Sequence, residues 1–188
     1  QGADQAAKEL GITDEVQVEY VCGGQFYGDA DITAYMDTWF GSKGVEIVFA
    51  CGGGIYTSAA EAAVKTGGKI IGVDLDQSAT IDEYEDGLTV TSAMKGLQVT
   101  IDNVLSAIKG GTWDAYAGEM ENLGLESANP EENYVQLPET TTQWDDNFTV
   151  DDYRDLVQRM YDGELTVSGD TTSFPETEIQ ATDYGSIK

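Results

Sequence analysis

Three short stretches carry residue types that can hold a small polar ligand. Gly52-Gly53-Gly54 follows an apolar run and precedes an alanine-rich segment. Such a turn brings backbone N–H groups and a helix N-terminus close to a ligand, and the same residues also read as a plain tight turn. No Gly-Lys-Ser/Thr follows, so it is not a P-loop, and it is a poor match to G-x-G-x-x-G. Asp74-Leu75-Asp76 comes directly after Ile70-Ile71-Gly72-Val73. A carboxylate at a strand end can accept two hydrogen bonds from vicinal hydroxyls. On extended backbone Asp74 and Asp76 point to the same side. One is expected to face a ligand and the other to cap the following turn. A metal pair or a solvated loop are the alternatives, but two carboxylates alone make no calcium cage. Lys95 closes the apolar stretch that begins at Leu88, where a charge needs a partner, and Asp74 is the expected one. A Lys–Asp pair in a cleft grips a hydroxyl or a carbonyl; a lysine reaching for solvent is the other reading. Phe26, Tyr27, Phe49 and Tyr56 lie near the same places and can stack on flat ligands, with a core role equally open for Phe49.

Composition removes other chemistries. The chain has 188 residues, 35 acidic and 9 basic, for a net charge of −26, and it has no histidine. Ser-His-Asp triads, Cys-His pairs and histidine metal sites are therefore excluded. So negative a surface repels phosphate backbones and anionic lipid heads, which argues against nucleic acid as a partner. With 40% hydrophobic residues a packed core is within reach, and the length fits one domain or two small ones. No apolar run approaches the ~18 residues of a membrane span. Cys22 and Cys51 form no disulfide framework and read as free, half-buried side chains.

The elements that must position these residues alternate. Ala3 to Leu10 has helical spacing closed by Gly11, and Val16 to Val21 reads as a strand ending at Cys22-Gly23-Gly24. A helix over Ala30 to Phe40 follows, then a strand over Val45 to Ala50, a helix over Ser58 to Lys65 and a strand over Lys69 to Val73. A fourth strand spans Leu88 to Thr91 and ends at Ser92 and Lys95; a helix runs from Leu97 to Ile108. This order predicts an α/β fold with a parallel sheet covered on both faces, and ligands in such sheets bind beyond the carboxyl ends of the strands. The glycine turn, Asp74, Ser92 and Lys95 all fall there. Past Gly110, short strands are predicted over Glu119 to Leu125 and Tyr134 to Leu137, and a helix capped by Thr149 over residues 149 to 162. The tail from Ser168 is polar and reads as extended. The first helix has no cap or lead-in, which is the expectation for a chain cut from something longer.

The motifs Ile47-Val-Phe-Ala-Cys-Gly-Gly-Gly, Ile71-Gly-Val-Asp-Leu-Asp-Gln, Thr91-Ser-Ala-Met-Lys and Asp162-Gly-Glu-Leu-Thr-Val resemble, in order and spacing, the basic membrane protein family. These are substrate-binding lipoproteins of bacterial ABC transporters, among them purine-nucleoside receptors. The resemblance covers the chain up to Val167. It implies a type I periplasmic-binding-protein fold, with parallel sheets, helices on both faces, and the N-terminal lobe largely missing. Residues 1–90 would be the second lobe without its first strand, 91–125 a return to the first lobe, 126–167 a crossing back with the last helix, and 168–188 a polar tail. It further implies that Asp74 and Lys95 bind a ribose, that Gly53 and Gly54 give backbone contacts, that Phe49 stacks near the base, and that Asp76 and Tyr56 border the pocket. Cys51 and Ile55-Tyr56-Thr57 depart from the Thr-Gly of many relatives, so Tyr56 narrows the pocket and leaves base preference open. The implied protein needs no cofactor or metal. It works outside the cytoplasm with a transporter permease, on the cell membrane through an upstream lipid anchor. A receptor for a sugar or an autoinducer, and a nucleoside-processing enzyme using Asp74 and Asp76, are the competing functions.

Overall fold

The computed structural model describes residues 1–170 and 172–187; Thr171 and Lys188 of the predicted tail lie outside the described residues. The fold is α/β, built on two open, mostly parallel sheets. Helix α1 (Gly2–Leu10) ends at Gly11 in the left-handed conformation and leads to strand β1 (Gln17–Cys22). Helix α2 (Ala30–Thr38) runs into a π-helical turn, Trp39–Lys43, before β2 (Ile47–Phe49). Then come α3 (Tyr56–Ala63), β3 (Lys69–Asp74), the short α4 (Ser78–Ile81), β4 (Thr89–Lys95), α5 (Leu97–Gly110), β5 (Val135–Gln136), α6 (Val150–Tyr161) and β6 (Gln180–Ser186).

Strands β2, β3 and β4 are parallel neighbours, with β5 antiparallel on the outer edge of β4. The core lies on one face of this sheet. Ala59, Ala60, Ala62 and Ala63 give α3 a flat side that seats against Val48 and Ile70, while Ile32, Met36, Trp39 and Phe40 come from α2 and the π turn. Small residues let helix and sheet approach closely, which is how an 8-residue helix secures a packed interface. The start of α2 is set locally: Asp29 accepts from the N–H groups of Asp31 and Ile32, the usual remedy for unpaired donors in a first turn. In α6, Thr149 and Asp152 form the reciprocal capping box.

Several sequence expectations need correction. β4 extends through Ser92 to Lys95, because the ladder to β3 continues to the Asp74–Met94 register. Glu119 to Leu125 forms no strand, and of Tyr134 to Leu137 only Val135–Gln136 pairs. The polar tail holds β6, which adds to β1 in parallel from Gln17–Gln180 onward. Its seven residues lack an apolar alternation, so nothing in the pattern marks them as a strand. Cys22 and Cys51 are free, as expected, but exposed. Helices on both faces were expected, and α2 and α3 cover one. On the other, Ile47 and Phe49 stay about half exposed, and α5 leaves Leu97, Ile101, Leu105 and Ile108 likewise half exposed. No helix among the described residues is long and apolar enough to cross a membrane.

The parallel sheet is interrupted. Among the described residues β1 pairs with β6 and β2 with β3, and β1 and β2 form no ladder with each other. Beyond their ends a parallel bridge joins Tyr27 and Gly54, where Gly54 N–H donates to Phe26 C=O at 2.8 Å.

Most cations are already spent in local pairs. Lys8, Lys43, Lys65, Lys95, Arg154 and Arg159 each sit within 4.0 Å of a carboxylate among the described residues. The remaining acids repel one another across the surface, and mobile salt screens that repulsion within a Debye length of about 10 Å at 0.1 M. The thermal midpoint is therefore expected to climb as KCl is added from low to molar concentration. A midpoint independent of salt would mean that the negative surface costs the fold nothing.

Candidate ligand-binding site

The strand ends come together as the alternation requires. Asp74 closes β3 with φ of 72°, the only non-glycine among the described residues with a positive φ. Aspartate tolerates this left-handed backbone better than most residues, though at some cost in strain. The turn breaks the extended run, so Asp74 and Asp76 do not act as a same-side pair. Asp74 Oδ1 lies 2.5 Å from Lys95 Nζ at the end of β4, and both side chains keep access to solvent. Asp76 instead accepts from Ser78 N–H at 3.0 Å, starting α4, and from Thr141 Oγ1 at 2.7 Å. With that second bond it ties the β3 end to the segment after β5. Partial burial pushes its carboxyl up, but the bonds from Thr141 and Ser78 together outweigh it and hold the group below the usual range.

The glycine turn is pinned to these strand ends by Gln77. Its Oε1 accepts from Val73 N–H at 2.9 Å, its Nε2 donates to Gly53 C=O at 2.9 Å, and its own backbone N–H donates to Ser92 Oγ at 3.1 Å. One residue thus joins the turn after β2, the end of β3 and the middle of β4. Gly72 makes room for it: a Cβ there would lie 2.7 Å from Ser92 Oγ and 2.9 Å from Gln77 Oε1. Ser92, fully buried, is a support for Gln77 and not a group facing the ligand. Gln77 is the positioning residue that sequence reading passed over. Its only local signal is its place after Asp76, because the groups it joins come from two strands and a turn far apart in the chain.

Around this frame the aromatic candidates divide. Phe26 is 77% exposed, its carbonyl accepts from Gly54, and its ring edge faces Gly52, so it stands beside the glycine turn with an open face. Tyr27, next to it, is also exposed. Phe49 is half exposed on the uncovered sheet face. Tyr56 is partly buried against the core cluster at the start of α3. The structure therefore brings together Gly53, Gly54, Asp74, Lys95 and Phe26 at one end of the sheet, and turns Asp76 and Tyr56 toward structural contacts. Among the described residues no cluster of three or more acidic or cysteine side chains is placed to hold a metal ion.

Compared with known proteins, the chain matches no family model and no curated protein.

Removing the Gln77 side chain leaves Val73 N–H and Gly53 C=O without their partners. Gln77→Ala should cost about 1–3 kcal/mol of stability, the usual penalty for stranding part-buried polar groups. Chemical denaturation measures it. A variant as stable as the parent would show that water replaces the amide without loss, and that Gln77 does not hold the turn.

Proposed function

We propose that this chain is part of an extracytoplasmic substrate-binding protein of an ABC importer, and that it binds a purine nucleoside at the end of the β2–β4 sheet. The observation that carries the reading is the Asp74–Lys95 pair, held at neighbouring parallel strand ends beside a pinned glycine turn. A carboxylate accepts from sugar hydroxyls and the ammonium donates to them, while the glycine turn, whose Gly52 and Gly54 N–H groups are given to Ala50 and Phe26, shapes the edge beside them. The exposed ring of Phe26 offers a flat apolar face next to it. That combination of a few convergent polar groups and an aromatic wall is what small-molecule recognition needs. With Asp76 engaged by Thr141 and Ser78, one carboxylate stands at the mouth, which favours binding over the two-carboxylate chemistry of a nucleoside-processing enzyme.

The finer fold reading belongs to the same proposal. In a type I periplasmic-binding-protein architecture a second α/β lobe closes over this end of the sheet. The unpaired seam between β1 and β2 would take one further parallel strand, and the half-exposed apolar faces of α5 and β2 would meet the rest of that protein. A permease and an upstream lipid anchor complete the proposed setting.

Calorimetric titration of inosine into the complete receptor tests the site. Asp74→Asn keeps a residue that accepts the left-handed backbone, and Lys95→Ala removes the ammonium. Each should weaken binding roughly 10- to 100-fold, the equivalent of about 1.5–3 kcal/mol for a charge-assisted hydrogen bond. Unchanged affinity in both variants would remove these residues from the site, and release of free base on incubation would make the protein an enzyme.

A further inference from the structure

The two sheets are held by different means. The buried cluster is built by α2, α3, β2, β3 and their connections, whereas β6 presents mostly exposed residues to its surroundings. Its apolar anchors are Ile179 just before it, 4% exposed, and Ile187 just after it. What fixes its entry is one carboxylate. Asp4, in the first turn of α1 and 6% exposed, accepts from Glu178 N–H at 2.7 Å and from Ile179 N–H at 3.0 Å through Oδ1. Its Oδ2 pairs with Lys8 Nζ at 2.8 Å, and the same ammonium lies 3.2 Å from the Glu178 carboxylate. The ladder to β1 begins directly afterwards, at Gln180 opposite Gln17. One turn on along α1, Glu9 pairs with Arg159 of α6 at 3.4 Å. The far end of β6 is held separately: Tyr184 O–H donates to Glu19 at 3.1 Å, and Lys43 lies over the Tyr184 ring at 3.7 Å.

We propose that Asp4 is a latch for the last strand: while its carboxylate is charged β6 is docked on β1, and when that charge is lost the entry to β6 releases with the four-stranded sheet still folded. Release bares the edge of β1, a row of backbone groups open to another strand. The bond from Lys8, then those from the N–H groups of Ile179 and Glu178, hold the Asp4 carboxyl below its usual range. A carboxyl depressed in the folded state stabilises fully above its unfolded value, and that contribution fades as pH falls through the lowered one. Acidification also removes repulsion from the surface, so the core and the latch respond with opposite sign. That opposition separates a local latch from general acid unfolding.

Amide hydrogen exchange on the whole chain near neutral pH decides it. In Asp4→Ala, protection from Ile179 to Thr182 should fall roughly tenfold or more, while amides of β3 and β4 stay within about twofold of the parent. Asp4→Asn, which keeps an acceptor but not the charge, should fall between the two. In the unmodified chain, acid should strip protection from β6 before β3. Unchanged β6 protection in the alanine variant, or an equal loss in β3 and β4, overturns the latch. Should the alanine variant not fold, the asparagine variant and the acid series decide it on the same comparison of β6 with β3.

Discussion

The arrangement rests on the three hydrogen bonds of Gln77. Parallel strands place their carboxyl ends on one side of a sheet, but nothing in that rule brings the loops beyond them into register. Here a side-chain amide spans the gap, reaching from β3 to the turn after β2, while its backbone is fixed by Ser92 of β4. The left-handed turn at Asp74 follows from the same geometry. The chain must reverse sharply after β3 for Gln77 to fold back onto Val73, and the reversal leaves the Asp74 carboxylate facing Lys95. Strain at that residue and the bonds of Gln77 are two sides of one local solution.

Charge and packing divide the labour elsewhere. The core is small and rich in alanine, with bulk supplied by Trp39 and Phe40 from the π-helical turn. Its apolar side is one face of the sheet; the other face and α5 keep large apolar side chains half exposed. Patches of that kind mark interaction surfaces more often than free ones. The interruption between β1 and β2 points the same way, since parallel strands in covered sheets seldom stand with an unpaired edge.

Much of the first half was legible in the sequence because its signals are local. The alanine run of α3, the apolar strands β2 and β3, and the glycine that closes α1 each follow from spacing within a few residues. The Asp74–Lys95 pair was legible too, from a charge in an apolar stretch that required a partner. Most of what escaped depends on distant residues. β6 becomes a strand because β1 offers it an edge and Asp4 fixes its start, not because its residues alternate. Glu119 to Leu125 forms no strand: Glu119, Glu121, Asn122 and Gly124 are poor strand formers, and they outweigh its three apolar residues. Asp76 was drawn into a structural tie by Thr141, 65 positions away.

The proposed nucleoside site at the β2–β4 strand ends is open to a direct test. Titrating the ¹⁵N-labelled chain with inosine and following its amide resonances tests it residue by residue, because the method registers weak contacts. Saturable shifts at Phe26, Gly53, Gly54, Asp74 and Lys95, with β6 and α6 unmoved, are the predicted result. Resonances that stay still at high inosine concentration, or shifts concentrated away from those strand ends, would contradict it.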